Sequence, residues 1–138
     1  MDDTPALIQW NGEIMTTGIA SIDEQHRGLI DKINELHQVH QMGATVDDIR
    51  AVLRFLGDFT QKHFQHEEAL MEVHKCPLRQ ENRLAHARFL REYQELVANF
   101  SLEEDTDQTA TEIERMVARW LSTHICRIDI TLRDAPKE

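Results

Sequence analysis

The chain has few of the residues that build strand-rich or disulfide-linked folds. Its 138 residues include 5 glycines, 3 prolines and 2 cysteines. Because the glycines and prolines stand mostly at segment edges, they favour long helices over many short strands. Cys76 and Cys126 are too few for a disulfide framework, so we expect inert thiols in a reducing cytoplasm.

Features of membrane proteins and nucleic-acid-binding proteins are also missing. No apolar run approaches the roughly 20 residues of a membrane span, and the first residues lack the basic start and apolar core of a secretion signal. With 25 acidic and 15 basic residues, the net charge of −10 argues against nucleic acid and anionic membrane surfaces as partners. The expectation is one cytoplasmic domain that spans residues 1–138.

Four segments carry apolar residues at helical spacing, after an irregular arm over residues 1–20. In the arm we expect Trp10, Ile14 and Ile19 to anchor on the body of the protein. Ser21 and Glu24 have the spacing of a capping box, which predicts that the first helix starts there.

The remaining boundaries follow from turn and capping residues. The first helix should stop at Gly43, and Thr45 can cap the second helix. Pro77 suits the first turn of the third helix. After an acidic turn over residues 103–107, the fourth helix should run from about Thr109 to about Leu132. Four amphipathic helices with short connections predict an all-α, up-down-up-down four-helix bundle.

Each helix places polar, ligand-type side chains where its apolar stripe turns inward. In the fourth helix the stripe Ile113, Met116, Val117, Trp120 and Leu121 continues at His124. The inward polar positions are His26 in the first helix, His63 and Glu67 in the second, His86 in the third, and His124 and Asp129 in the fourth. Such groups are costly to bury unless something neutralises and coordinates them. Imidazoles with two carboxylates suit iron, and favour two metal ions about 3.5–4 Å apart.

The simpler interpretation of any one of these residues is structural. A single inward histidine is more often a hydrogen-bonded core residue, and a single inward glutamate more often pairs with arginine or lysine. Both interpretations weaken when all four helices contribute. Asp129 lies five residues after His124, about 140° around an ideal helix, so it needs a local distortion or a place near the helix end. We interpret His66 and Glu68, which fall off the stripe, as solvated.

Together these residues resemble the three signatures of bacterial hemerythrins: IDEQH at 22–26, HFQHEE at 63–68 and HICRID at 124–129. The resemblance implies a non-haem di-iron site with a bridging oxo or hydroxo group, which binds dioxygen at one iron. It also implies that Glu67 and Asp129 bridge the irons. The iron that binds oxygen would be held by His26 and His63, and the other iron by His86 and His124.

The chain departs from that family pattern at Asn82. The family has two histidines four residues apart on the third helix, and here NRLAH at 82–86 offers asparagine in the first place. An amide carbonyl is a weak ligand for iron compared with imidazole. Glu81 could substitute, but it points about 100° away from Asn82. We therefore expect an iron that is five-coordinate or carries water, and two irons that are both open to exogenous ligands.

Three functions remain open. An additional labile position should speed oxidation of the oxygenated protein, which favours a sensor of oxygen or redox state over a protein that stores oxygen. By resemblance, such domains in bacteria also occur fused to outputs such as diguanylate cyclases, and residues 134–138 could be a linker to one or a frayed end. Reversible oxygen storage or delivery is the alternative, and a di-iron peroxidase or oxidase is the third. In each case dioxygen or a small anion is the expected ligand.

Overall fold

A computed structural model describes residues 7–125 of the chain. Its elements are α1 (Gly12–Met15), α2 (Ala20–Met42), α3 (Val46–Val73), α4 (Arg79–Glu103), α5 (Thr106–Arg119) and a π-helix that continues α5 (Trp120–Ile125). Residues 7–125 form no strand, so the all-α prediction is confirmed. Helices α2 and α4 each pack against both α3 and α5, so the four long helices form a four-helix bundle.

Helix α2 ends and helix α3 begins at the residues that the sequence predicts. Thr45 caps α3 with a full capping box: its hydroxyl accepts from the Asp48 N–H, and the Asp48 carboxylate accepts from the Thr45 N–H. Gly43 ends α2 at φ 97°, a left-handed conformation that glycine adopts without steric cost.

The capping box predicted at Ser21 and Glu24 is wrong. Helix α2 begins at Ala20, and no side chain caps its first turn. Asp23 instead accepts hydrogen bonds from the backbone N–H and the hydroxyl of Thr17, each at 2.8 Å. Since Thr17 is fully buried, this carboxylate fastens the arm to the start of the helix, a contact that capping spacing alone does not reveal.

Two further boundaries differ from the prediction. Pro77 lies in the turn before α4, which starts at Arg79. The acidic segment is mostly helical, because α4 continues to Glu103 and α5 already begins at Thr106 rather than Thr109. Asp105 explains the early start of α5, since its side chain accepts from the Gln108 N–H as an N-cap. The predicted end at Leu132 falls outside the described residues.

The arm contacts the bundle through two of its three expected anchors, Trp10 and Ile19. Trp10 is half-buried and carries the Arg27 guanidinium 4.5 Å above its ring. Ile14, however, is 46% exposed, and its neighbour Met15 is buried instead. The reason is the short helix α1, which turns Met15 rather than Ile14 towards the core.

None of the helices within residues 7–125 is long and apolar enough to cross a membrane.

Candidate metal centre

Four buried imidazoles from four helices meet around the buried carboxylate of Glu67. The Glu67 Oε2 atom lies 3.2 Å from His63 Nε2 and 3.6 Å from His26 Nε2. The other oxygen, Oε1, lies 3.0 Å from His86 Nε2 and 3.4 Å from His124 Nε2. Each of the five residues is at most 2% exposed. One carboxylate therefore presents a separate oxygen to each of two histidine pairs.

This geometry fits two metal ions that share a ligand. The donor atoms of His26, His63 and Glu67 lie within 4.8 Å of one another, and so do those of Glu67, His86 and His124. His26 Nε2 and His63 Nε2 are 3.0 Å apart. Imidazole nitrogens bind transition-metal ions at about 2.1 Å, so two of them at right angles around one ion would be about 3 Å apart. The donors are already at ligand spacing.

Glu67 is ionised in this setting. Burial by itself raises the pKa of the Glu67 carboxyl, but hydrogen bonding to the four surrounding imidazoles outweighs burial and holds that pKa well below its usual range. A buried anion needs cations or hydrogen-bond donors around it. A charged carboxylate between neutral imidazoles is the donor set that divalent and trivalent iron accept.

Two side chains orient the imidazoles from outside the donor groups. Gln25 Oε1 lies 2.5 Å from His63 Nδ1, and Glu68 Oε2 lies 2.9 Å from His86 Nδ1. When Nδ1–H donates to such an acceptor, the lone pair of Nε2 is left for a metal. The expectation of a solvated Glu68 was wrong, because this half-buried side chain reaches across from α3 to the histidine on α4.

Sequence reasoning missed these two residues because each stands next to a ligand in the chain but serves a ligand on another helix. Gln25 precedes His26 and binds His63, and Glu68 follows Glu67 and binds His86. Periodicity along one helix cannot detect such crossed contacts. His66 also differs from the expectation of a solvated side chain, since it is half-buried and shares a hydrogen bond of 2.9 Å with the Ser21 hydroxyl.

Aromatic rings pack on the imidazoles and exclude water from them. Phe64 stacks on His86 with ring centroids 3.8 Å apart, and Trp120 stacks on His124 at 3.7 Å. These parallel contacts fix the planes of both imidazoles. Polar interactions in such a dry environment are stronger than in water.

Asn82 lies one helical turn before His86 and is fully buried. Neither its amide nitrogen nor its amide oxygen has a hydrogen-bond partner within residues 7–125. Buried amides in native proteins are nearly always hydrogen-bonded, and leaving one unpaired costs free energy. Positions 82 and 86 share one face of α4, so the amide is available on the side of the helix that carries the candidate ligand.

The π-helix over Trp120–Ile125 changes the winding where the fourth helix reaches the site. In a π-helix the backbone bonds from residue i to i+5 rather than to i+4. Residues five apart, such as Trp120 and Ile125, then come closer to one face. Asp129 itself, like Cys126, lies outside the described residues.

The remaining histidines and the described cysteine stand apart from the donor groups. His37 and His40 contact Glu114 at the other end of the bundle, and His74 follows the last residue of α3. Cys76 is buried beside Met71, and burial raises the pKa of its thiol. A protonated thiol is a poor nucleophile and a poor ligand, in agreement with the expectation of an inert thiol.

A four-helix bundle that collects histidines and a shared carboxylate from facing helices belongs to the class of metal-binding helical bundles. More particularly, the chain is a member of the hemerythrin family, because the Hemerythrin HHE cation binding domain matches residues 17–133. This family implies a di-iron centre.

Several relatives support the same assignment. The bacteriohemerythrin of Pseudomonas aeruginosa is 33% identical over 130 residues, which cover 94% of this chain and 82% of the relative. That of Stenotrophomonas maltophilia is 33% identical over 132 residues, or 96% of this chain and 83% of the relative. A more distant bacteriohemerythrin, from Methylococcus capsulatus, is 27% identical over 125 residues, or 90% and 92% of the two chains.

Proposed function

We propose that the protein is a non-haem di-iron protein that binds dioxygen and senses oxygen or redox state. The observation that carries this proposal is the Glu67 carboxylate, which offers one oxygen to the pair His26 and His63 and the other to the pair His86 and His124. Two iron ions held there would supply reversible binding of dioxygen. In this proposal Asp129 is a second carboxylate that bridges the same ions.

The protein contributes preorganised donors and a dry environment. Gln25 and Glu68 hold the imidazoles of His63 and His86 with Nε2 turned towards Glu67. Phe64 and Trp120 cover two imidazole faces and limit the access of water. A donor set of imidazole nitrogens and carboxylates, without a thiolate, suits iron better than it suits softer metal ions.

Asn82 is the reason to prefer sensing over storage. It stands one turn from His86, where an imidazole would close the second iron, and its buried amide lacks a partner among the described residues. A weak ligand or a water there would leave this iron open to anions and would shorten the life of the oxygenated protein. A short-lived oxygenated form suits a signal better than a reservoir.

The output of such a sensor would be a partner or fused signalling domain in the cytoplasm. We propose that residues 1–138 act as one sensing domain. Catalysis is not part of the proposal.

Replacement of the shared carboxylate tests the centre. Glu67→Ala should lower the iron content from about two ions per chain to well below one, because both ions lose a ligand. Asp129→Ala should lower it strongly for the same reason. Glu72→Ala is the matched control, since Glu72 lies on the same helix but at the surface. Full iron loading of both ligand variants, with native helix content, would refute the bridging assignment.

Optical titration of the reduced protein with air separates the functions. Rapid conversion to a diferric spectrum supports a sensor, whereas an oxygenated spectrum that persists for hours supports storage. Many turnovers of added peroxide by the reduced protein would contradict the proposal and indicate an enzyme.

A further inference from the structure

A cavity of about 360 Å³ opens between α4 and the π-helix and reaches the candidate metal centre from the surface. Phe89 lines it from α4, and Trp120 and His124 line it from the π-helix. Because His124 is also one of the donors around Glu67, the cavity joins solvent to one histidine of the pair His86 and His124.

The wall of this cavity carries an excess of positive charge. Two arginines, Arg88 and Arg119, and one carboxylate, Glu92, line it. Arg119 is paired with Glu92 at 3.3 Å, and exposed Arg88 makes no ion pair with any residue in the range 7–125. One cation is therefore left in excess at this place, on a molecule whose net charge is −10. A local positive potential in a cleft raises the concentration of anions there.

Hydrogen-bond donors are available at the inner end. Trp120 lines the cavity beside the imidazoles: its ring stacks on His124 and lies 5.5 Å from the ring of His86. The indole Nε1 is buried and has no hydrogen-bond partner in residues 7–125. An indole N–H can only donate, and an anion is the complementary acceptor. The amide of Asn82, one turn from His86 but outside the cavity lining, is a second donor without a partner in that range.

From these observations we infer that the cavity is a binding and access site for small inorganic anions. Arg88 attracts the anion, and Trp120 controls its passage to the metal held by His86 and His124. Azide, nitrite and thiocyanate have the required size and charge. The inference that the anion reaches a metal ion rests on the proposed di-iron centre. The inference that the cavity binds anions does not. A neutral ligand such as dioxygen gains nothing from the arginine, so the cavity selects by charge.

The cavity is tested first without reference to the metal, by quenching of Trp120 fluorescence in the full-length protein as isolated. A Trp10→Phe background leaves Trp120 as the only tryptophan. Iodide should quench it, and Arg88→Gln should lower the iodide quenching constant about two- to threefold, the effect of one unit charge at short range in water. Arg91→Gln is the matched control, because Arg91 is an exposed arginine on the same helix outside the cavity lining. Acrylamide, which is neutral, should quench all three proteins equally.

The destination is tested by the rate of azide binding to the iron-loaded protein in stopped flow. Arg88→Gln should slow azide association about two- to threefold at low salt, and the difference should shrink at high salt because the charges are screened. Arg91→Gln should leave the rate unchanged. If Arg88→Gln lowers the iodide quenching constant but azide produces no spectrum, the anion site is supported and the di-iron centre is refuted. If azide gives a spectrum, but neither its association rate nor the iodide quenching constant changes in Arg88→Gln, the anion site is overturned and the di-iron centre is not.

Discussion

Glu67 and Asn82 show what single residues contribute to the centre. Glu67 is surrounded by imidazoles that keep it ionised against the cost of burial, so one side chain can serve two ions. Asn82 is equally buried but lacks hydrogen-bond partners in the described part of the chain. A protein retains such an unpaired amide at a cost of about 1–3 kcal/mol, which a ligand or water at the centre would offset.

Replacing Asn82 by histidine should close the second iron. In Asn82→His the new imidazole lies one turn before His86 on the same face of α4, where it can take the place of a water or a weak carbonyl ligand. We expect tighter iron binding, weaker azide binding by about tenfold, and slower autoxidation. Iron retention against a chelator, azide affinity and the autoxidation rate would be measured together.

Asn99→His controls for the added imidazole, because Asn99 is an exposed asparagine on the same helix. It should leave all three quantities unchanged. Unchanged or faster autoxidation of Asn82→His at full iron loading would show that position 82 is not the open position, and the preference for sensing would lose its basis.

At the scale of the elements, the sequence predicted the helices better than their ends and connections. The apolar stripes identified four helices and placed His26, His63, Glu67, His86 and His124 on their inner faces, because periodicity reports which face is buried. It carries no information on which helices are neighbours. The contacts that depend on neighbours were therefore missed: Gln25 with His63, Glu68 with His86, and Thr17 with Asp23.

Another contact joins α2 and α5 at the end of the bundle away from the candidate metal centre. We expect the strength of this contact to depend on pH. His40 places Nδ1 3.2 Å from Glu114 Oε1 and Nε2 2.8 Å from Asp107 Oδ1. Both acceptors are carboxylates, so only the protonated ring can donate to both. Burial lowers the pKa of His40, but the hydrogen bonds and charges of Asp107 and Glu114 outweigh burial and raise that pKa above its ordinary value.

This raised pKa predicts how stability changes with pH. A group that binds its proton more tightly when folded stabilises the protein below its unfolded pKa of about 6.5, and the contribution is lost as the pH rises through the higher folded pKa. His40→Gln should therefore destabilise the protein at pH 6 by up to about 1 kcal/mol and have less effect at pH 8.5. Urea unfolding at both pH values measures this difference.

His74→Gln provides the control for that experiment, since His74 follows the last residue of α3 and makes no ion pair within residues 7–125. It should change stability equally at both pH values. A deficit of His40→Gln that is the same at pH 6 and pH 8.5 would mean that the contact does not depend on the proton of His40.

For the whole molecule, the centre competes with the core for the interior of the bundle. Apolar residues fill the middle, among them Leu29, Ile33, Leu56 and Ile113. One end is given instead to four imidazoles, Glu67 and Asn82, all at most 2% exposed. Without metal ions this end holds a buried anion with four imidazoles around it, and its donors lack the cations that their spacing fits. The folded state should therefore depend on metal more than the hydrophobic core alone suggests.

Removal of iron should lower the melting temperature of the whole protein. Ions that bind only the folded chain stabilise it by mass action, by about 2.7 kcal/mol at a free concentration 100 times the Kd. For a chain of this size that corresponds to roughly 10 °C in Tm. Calorimetry of the iron-loaded protein and of the same sample after chelation and dialysis measures the shift. The Glu67→Ala variant should melt at one temperature with or without iron, since its donor groups are no longer complete. Superimposable melting curves of the native protein in both states would show that the buried histidines belong to the fold and not to a metal centre.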